Sequence, residues 1–210
     1  MSGEIVRDAS LSGWPQSYKF FSSVESNVAS AFALRRDLDD RAEAALGPYR
    51  RYGGGEGDGG SGGAVLVGVH VRRTDYENHT SFYSTGGGAE SYFAATMGYF
   101  RSQHGKAVRF LVASDDVPWC RSRPFFSSDS ANVDVDIHIL DSDDPRLEFS
   151  ILTKCDHLVL TVGTFGWWAA WLGPHQRKGG EVVYCDAAGR GSDEEKKDFW
   201  PSEWREMCNG

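Results

Sequence analysis

The sequence predicts an α/β protein with a doubly wound, largely parallel sheet, because strand-like and helix-like segments alternate along it. The clearest strand lies within residues 64–76, where an apolar run leads directly into a histidine, two arginines and an aspartate. Polar residues also follow the apolar runs at residues 108–113 and 157–162. Open α/β sheets bind ligands beyond the carboxyl ends of their strands, so these polar residues predict a site along one edge.

The other predicted elements follow from periodicity and capping signals. Ser22 and Glu25 have capping-box spacing, and apolar residues recur at roughly helical intervals after them, which predicts one helix over residues 24–46. Residues 133–140 alternate polar and apolar side chains, which predicts a strand nearer an edge of the sheet. Further helices are predicted at residues 89–103, 145–155 and 167–172, and a short strand at residues 181–185.

A glycine-rich run divides the chain. Residues 53–63 contain eight glycines, and ordering them in a helix or a strand would carry a high entropic cost. The run precedes a strand and lacks the Lys-Ser/Thr ending of a phosphate-binding P-loop, so it is interpreted as a flexible surface insertion. It separates an N-terminal helical segment, residues 1–52, from an α/β domain, residues 64–210.

The overall charge argues against ligands that are bound through bulk positive charge. The 210-residue chain has a formal net charge of -8 and a pI of about 5.2, which is unfavourable for binding nucleic acid or an anionic membrane. The sequence contains neither an apolar run long enough for a transmembrane helix nor the apolar stretch of a signal peptide. A polyanionic ligand would therefore have to be held by a local cluster of basic residues.

Cysteine and aspartate spacing gives no metal prediction. The cysteines are Cys120, Cys155, Cys185 and Cys208. None has C-x-x-C spacing, and all three pairings of the four remain open. Residues 134–136 and 141–143 each carry Asp-x-Asp, a spacing found at divalent-metal sites, but no further cluster of hard ligands accompanies them. We interpret these acids as solvated and predict that the protein uses no metal and no other cofactor.

The candidate anion site is formed by Arg72, Arg73 and Thr164. Two adjacent guanidiniums present rigid forks of donors that suit a diphosphate, although an isolated arginine pair at a strand exit is more often a pair of surface charges. Thr164 lies in a glycine-flanked turn before a predicted helix, where its hydroxyl and free backbone N–H groups would suit a phosphate oxygen. A simple helix cap is the alternative role for Thr164.

His70 and Asp75 flank the arginine pair. His70 follows an apolar run, so a hydrogen-bonded structural histidine is the main alternative to a group that contacts the ligand. Asp75 could act on a hydroxyl or orient one of the arginines. Pairing with an arginine is favoured, because a carboxylate beside two guanidiniums is a poor base at neutral pH.

Five segments of the chain resemble the galactoside α-1,2-fucosyltransferase family. Residues 70–75, HVRRTD, match the H-x-R-R-x-D motif of inverting fucosyltransferases that use GDP-fucose. The most specific segment is ILTKCDHLVLTVGTFGWWAAWL, because it separates this family from protein O-fucosyltransferases and α-1,6-fucosyltransferases that share the arginine motif. The other matching segments are GWPQSYKFF, the extended motif VGVHVRRTDY, FLVASDDVPWCR and FWPSEW.

The resemblance implies a Rossmann-like, GT-B-type donor-binding region of a glycosyltransferase. It implies metal-independent transfer of fucose, with inversion, from GDP-fucose to the 2-hydroxyl of a terminal galactose on a glycan. Arginines would then stabilise the departing GDP in place of a metal. Golgi membrane attachment on the luminal side, through an anchor absent from this chain, is also implied. No nucleic-acid partner is expected.

The strand-end pattern and the resemblance together give the expected site residues. The resemblance places Arg72 at the diphosphate with Arg73 in support, His70 and Glu148 near the guanine or ribose, and Thr164 at the phosphates. Arg72 and Asp75 are the expected catalytic residues. The expected donor-binding residues are His70, Arg72, Arg73, Ser114, Asp115, Glu148, Gly163, Thr164 and Phe165.

The sequence departs from the family pattern in three places. Thr74 stands where vertebrate members usually carry glycine, and it resembles the α-1,6 enzymes there. Glu148 stands where relatives commonly carry aspartate. A family N-terminal half with a G-R-x-G-N-Q motif is missing, so we expect the chain to be part of a longer catalytic region.

These departures leave two alternatives to the implied activity. One is a non-catalytic nucleotide-sugar-binding module. The other is a fucosyltransferase for another acceptor, α-1,6 or protein O-linked. The sequence does not identify the general base.

Overall fold

A six-stranded parallel sheet organises the part of the chain that the structure describes. The structure is a computed structural model, and the described residues are 17–50, 63–77, 81–84, 88–126, 136–186 and 193–208. The strand order is β3-β2-β1-β4-β5-β6. The strands are β1 (Val65–Val71), β2 (Val108–Ser114), β3 (Asp136–Ile139), β4 (His157–Leu160), β5 (Glu181–Tyr184) and β6 (Arg205–Glu206). This order, with β1 at the point where the chain changes direction along the sheet, confirms the doubly wound, Rossmann-like prediction.

Seven helices connect or precede these strands in the described ranges. They are α1 (Glu25–Ala31), α2 (Arg36–Arg50), α3 (Gly88–His104), α4 (Val117–Arg121), α5 (Pro145–Thr153), α6 (Thr164–Leu172) and α7 (Asp193–Phe199). None of them combines the length and the apolar character that crossing a bilayer would require.

The two faces of β1 bury two separate cores, because side chains alternate along a strand. Leu66 belongs to the core that includes residues from α2, α5 and α6, whereas Val67, Val69 and Val71 belong to the core that includes residues from α3. Both neighbours of β1 are parallel to it, and Val71 at its carboxyl end lies opposite Ser114 of β2. The carboxyl ends of β1, β2 and β4 therefore meet at one edge.

The predicted helix at residues 24–46 is wrong as a single element. The chain forms α1 and α2 instead, separated by residues 32–35. Phe32 leaves the helix to stack on Trp168, with ring centroids 5.1 Å apart. The apolar residues of the predicted helix do not share one buried face, since only Ala42 and Leu46 are buried in α2 and α1 buries none.

The other predicted elements are largely confirmed. The helix predicted to begin at residue 167 begins three residues earlier, so Thr164 is its first residue and Gly163 is its N-cap. Strand β3 lies at an edge, as expected, although residues 133–135 of that prediction lie outside the described residues. Residues 51–62, nearly all of the glycine-rich run, also lie outside them. The sequence did not predict α4, α7 or β6.

One disulfide joins the end of β5 to the C-terminal segment. It pairs Cys185 with Cys208, whose Cα atoms are 4.8 Å apart. Cys120 and Cys155 are buried free thiols. Burial raises the pKa of Cys155 to about 12, so this thiol stays protonated at neutral pH.

Gly68 in the centre of β1 permits α5 to approach the sheet closely. A Cβ at this position would lie 2.8 Å from Leu152 Cδ2 and 3.2 Å from Cys155 Sγ. We therefore expect Gly68→Ala to destabilise the protein by about 1–3 kcal/mol through overpacking. Urea unfolding would measure this loss.

The matched control is Gly98→Ala in α3, where a Cβ meets nothing within 4 Å. We expect this change to be neutral or stabilising by about 0.5–1 kcal/mol, because alanine favours the helix. Equal stability of the Gly68→Ala variant and the wild type would contradict the close approach.

Candidate functional site

The site is built on the residues that follow β1. Arg72 N–H donates to Thr161 Oγ1 at 3.1 Å, and the Arg72 carbonyl accepts a 2.7 Å hydrogen bond from the Tyr83 hydroxyl. Thr161 comes directly after β4, whereas Tyr83 ends a short 3-10 helix, Ser81–Tyr83. Contacts from two sides thus fix the backbone of Arg72 where the sheet ends.

A cavity of about 300 Å³ opens at this edge of the sheet. It is lined by His70, Arg72, Asp75, Tyr76, Gly163, Thr164 and Phe165. Six of these residues are ones that the sequence singled out, and they come from the end of β1 and the start of α6. Tyr76 was not predicted, because an aromatic residue after Asp75 carries no signal for anion binding.

Arg72 is the central charged group of the cavity. Its guanidinium makes a two-pronged contact with Asp75, with Nε 2.8 Å from Oδ1 and Nη2 2.9 Å from Oδ2. Its remaining nitrogen, Nη1, lies 3.2 Å from Asp115 Oδ2. The hydrogen bond that Arg72 donates to Asp75 and the charge of Asp115 raise the pKa of Arg72, so the guanidinium remains charged.

Arg73 does not line the cavity. Its guanidinium is paired with Asp116 and Glu77 and lies over the ring of Trp119, 5.3 Å from the ring centroid. Only 13% of its side chain is exposed. Adjacent residues of an extended chain point in opposite directions, which explains why only Arg72 faces the site. Arg73 therefore binds neighbouring carboxylates next to the cavity and does not face the cavity itself.

Asp115 and Ser114 also lie behind the cavity rather than in its lining. Asp115 Oδ1 accepts a hydrogen bond from Arg73 N–H at 2.8 Å, and its Oδ2 accepts one from Thr74 N–H at 3.2 Å and another from the Thr74 hydroxyl. Ser114 Oγ accepts from Asp116 N–H at 2.9 Å. Asp115 thus fixes the backbone that follows β1, and Ser114 fixes the backbone that follows β2.

His70 forms the floor of the cavity. It is only 5% exposed, and its ring stacks on Phe165 with centroids 5.2 Å apart. Within the described part of the chain, its Nδ1 is buried without a hydrogen-bond partner. Burial, together with the charge of Arg72, lowers the pKa of His70 to about 4 despite the opposing charge of Asp115. His70 is therefore neutral at physiological pH.

Two glycines bring the start of α6 against this histidine and Arg72. A Cβ on Gly166 would lie 2.4 Å from His70 Nδ1, so only glycine fits there. Gly163 has a φ of 92°, which disfavours a side chain, and its N-cap position supplies no side-chain hydrogen bond to α6. Gly163, Thr164 and Phe165 thus line the cavity at a helix start that has no side-chain cap, which is the kind of helix end that binds phosphate.

Glu148, an expected donor-binding residue, does not line the cavity. Its Oε1 accepts a 3.3 Å hydrogen bond from Ser142 N–H, and the side chain is 8% exposed. Burial, and secondarily the charge of Asp141, raises the pKa of Glu148. The neighbouring Phe149 ring meets Phe165 edge-on, with centroids 5.2 Å apart, which connects α5 to the cavity wall.

One aspartate with Asp-x-Asp spacing is paired with an arginine: Asp141 lies 2.6 Å from Arg121. Residues 134 and 135 lie outside the described residues. In the described ranges, no three His, Cys, Asp or Glu side chains are grouped so that they could hold a metal ion.

The protein is thus an α/β protein whose cavity, at the carboxyl edge of the parallel sheet, is lined by an arginine and the N-terminus of a helix. The family model of glycosyl transferase family 11 matches residues 2–206. The chain therefore belongs to glycosyl transferase family 11, which confirms the family expected from the five matching segments. Glycosyl transferase family 11 has a GT-B-type fold, which agrees with the Rossmann-like parallel sheet described above.

Several curated proteins are similar to the chain. It is 35% identical over 179 residues to the galactoside alpha-(1,2)-fucosyltransferase 1 of Bos taurus, covering 83% of this chain and 45% of that protein. It is 35% and 36% identical over 177 residues to the proteins of the same name from Plecturocebus brunneus and Saimiri boliviensis boliviensis. Each of these matches covers 83% of this chain and 44% of the relative. The chain thus spans less than half the length of these relatives.

The buried neutral histidine makes a testable contribution to stability. His70 in the unfolded chain takes up a proton near pH 6.5, whereas in the folded protein it does so only near pH 4. Its contribution is therefore fully present above pH 6.5 and is lost as the pH falls toward 4. Relative to His70→Asn, the wild type should lose about 2 kcal/mol of unfolding free energy between pH 7.5 and 5.

Urea unfolding of both proteins across this pH range would measure the difference. His157, whose pKa is also lowered by burial, is present in both, so its effect cancels. A difference in unfolding free energy that does not change with pH would contradict the placement of His70.

Proposed function

We propose that the chain binds the diphosphate of GDP-fucose and forms the donor-binding part of a fucosyltransferase. The observation that carries this proposal is the position of Arg72, which shares one cavity with the open start of α6. A guanidinium presents two parallel donors to phosphate oxygens, and a helix N-terminus adds backbone donors and a partial positive charge. The names of the relatives, which are fucosyltransferases, support fucose as the transferred sugar.

The reaction proposed is transfer of fucose to the 2-hydroxyl of a terminal galactose, with inversion and without a metal ion. Negative charge develops on the leaving GDP, and Arg72 with the α6 N–H groups would stabilise it in the transition state. A neutral His70 fits beside the donor because it can both donate and accept a hydrogen bond. Location in the Golgi lumen, expected from the resemblance, stays a prediction.

Binding of GDP tests the donor site directly. Isothermal titration calorimetry of GDP into the 210-residue chain should give saturable binding at one site. Arg72→Lys should weaken binding roughly 10- to 100-fold, because an ammonium loses the two-pronged contact. The matched control is Arg205→Lys, since Arg205 also pairs with a carboxylate, Glu181 Oε1 at 2.9 Å, but at the opposite end of the sheet. Equal affinities of the two lysine variants would remove Arg72 from this role.

Transfer tests the reaction. When the protein is incubated with GDP-fucose and a terminal β-galactoside in the presence of EDTA, it should release GDP. The fucose should be α-linked to the galactose 2-hydroxyl. Since the donor is the β-anomer, NMR of the anomeric proton would establish inversion. Activity only after metal is added back would contradict the metal-independent part of the proposal. A panel of α-1,6 and protein O-linked acceptors would detect another acceptor class.

A donor-binding module without turnover is the second candidate function. The observation in its favour is that the chain spans only 45% of the Bos taurus relative. GDP binding with no transfer to any acceptor would support this candidate. The absence of both GDP binding and transfer would contradict both candidates.

A further inference from the structure

The negative charges around Arg72 would repel a bound diphosphate. Arg72 and Arg73 are paired with four carboxylates, namely Asp75, Asp115, Asp116 and Glu77. His70 is neutral and adds no positive charge. Like charges about 4 Å apart repel by about 1–4 kcal/mol in water or near a protein surface. A diphosphate can bind Arg72 well only if one of these carboxylates moves away.

Asp115 is built in firmly. Its two oxygens accept hydrogen bonds from the Arg73 and Thr74 N–H groups and from the Thr74 hydroxyl, and only 20% of its side chain is exposed. The same carboxylate lies 3.2 Å from Arg72 Nη1. Moving Asp115 would leave the N–H groups of the turn after β1 without acceptors, which would cost about 1–3 kcal/mol for each one left buried.

Asp75 is more exposed than Asp115 and pairs with a different edge of the Arg72 guanidinium. Its side chain is 56% exposed, and ion pairs in such positions contribute only about 0–1 kcal/mol. It takes the Nε and Nη2 donors together. This edge, with two parallel N–H groups, is the one that a phosphate would use for a two-pronged contact. Arg72 and Asp75 both line the cavity.

We propose that the two carboxylates on Arg72 have opposite effects on donor binding. Asp115 is a positioning residue, which holds the guanidinium and the turn after β1 in place. Asp75 competes with the diphosphate for the Nε and Nη2 edge and is displaced when the nucleotide binds. This proposal rests on the proposed function, in which Arg72 binds the diphosphate of a nucleotide sugar.

The two roles predict effects of opposite sign on GDP affinity. Asp75→Asn should tighten GDP binding about two- to fivefold, because it weakens the competing pair and removes a like charge. Asp115→Asn should weaken binding roughly tenfold, because an amide cannot accept every hydrogen bond that Asp115 accepts. The control is Glu181→Gln, which changes the net charge equally by removing a carboxylate paired with Arg205 at the far end of the sheet, and it should leave the affinity unchanged. Titration calorimetry of GDP would measure all four proteins.

A double-mutant cycle distinguishes positioning of Arg72 from general support of the fold. If Asp115 acts through Arg72, Asp115→Asn should weaken GDP binding less than twofold when it is combined with Arg72→Lys. Ligand-observed NMR would reach the weaker affinities in that background. If Asp115→Asn does not fold, Thr74→Val takes its place. This variant removes the hydrogen bond from the Thr74 hydroxyl to Asp115 and leaves the charge of Asp115 unchanged. It should weaken binding about threefold with Arg72 present and leave it unchanged in the Arg72→Lys background.

Three results would overturn the proposal. Weaker GDP binding by Asp75→Asn would show that Asp75 supports Arg72 instead of competing for it. An equal loss from Asp115→Asn or Thr74→Val in both backgrounds would show that Asp115 acts on the fold alone. A wild-type chain that does not bind GDP would contradict the proposed function itself, and this outcome is distinguishable from the first two because they require measurable wild-type binding.

Discussion

The site depends on one constraint: a single guanidinium must be held at the end of a buried strand in a protein with a net charge of -8. Arg72 meets this constraint through its place in the sheet. Its N–H is hydrogen-bonded to Thr161 beyond β4, and its side chain is held by carboxylates beyond β1 and β2. The parallel register brings these three strand ends together, so the edge of the sheet determines the site.

The second wall of the cavity depends on how α6 packs. Trp167 and Trp171 are buried in the core that also includes residues of β4 and β5, and Trp167 Nε1 donates to the Phe199 carbonyl at 2.9 Å. These contacts fix the axis of α6. Gly166 and Gly163 then let its first turn approach His70 and Arg72 as closely as it does. An apolar helix thus positions polar backbone groups at the cavity.

The sequence predicted the features that depend on local pattern. The apolar runs of β1, β2 and β4 are continuous because both faces of these strands are buried, and the polar residues that follow them identify the edge. The family resemblance added the ligand expected there. Six of the seven residues that line the cavity were named in advance for these two reasons.

What the sequence could not predict depends on contacts between distant residues. Nothing in residues 24–46 shows that α1 ends before Phe32, whose ring then stacks on Trp168, far along the chain. The pairing of Cys185 with Cys208 likewise depends on where β5 and the C-terminal segment meet. The arginine partners divide in the same way: Asp75 and Glu77 are neighbours in sequence, and the pairing of Asp75 was predicted, whereas Asp115 and Asp116 follow β2 and were not predicted as partners.

A crystal structure of the chain with GDP tests the central claim most directly. We expect diphosphate oxygens within hydrogen-bonding distance of the Arg72 Nε and Nη2 edge and of the N–H groups at the start of α6. We also expect Asp75 to have moved off Arg72 while Asp115 keeps its contacts with Arg73 and Thr74. GDP bound away from Arg72, or bound while Asp75 still occupies that edge, would show that Arg72 does not have this role or that Asp75 does not compete for it.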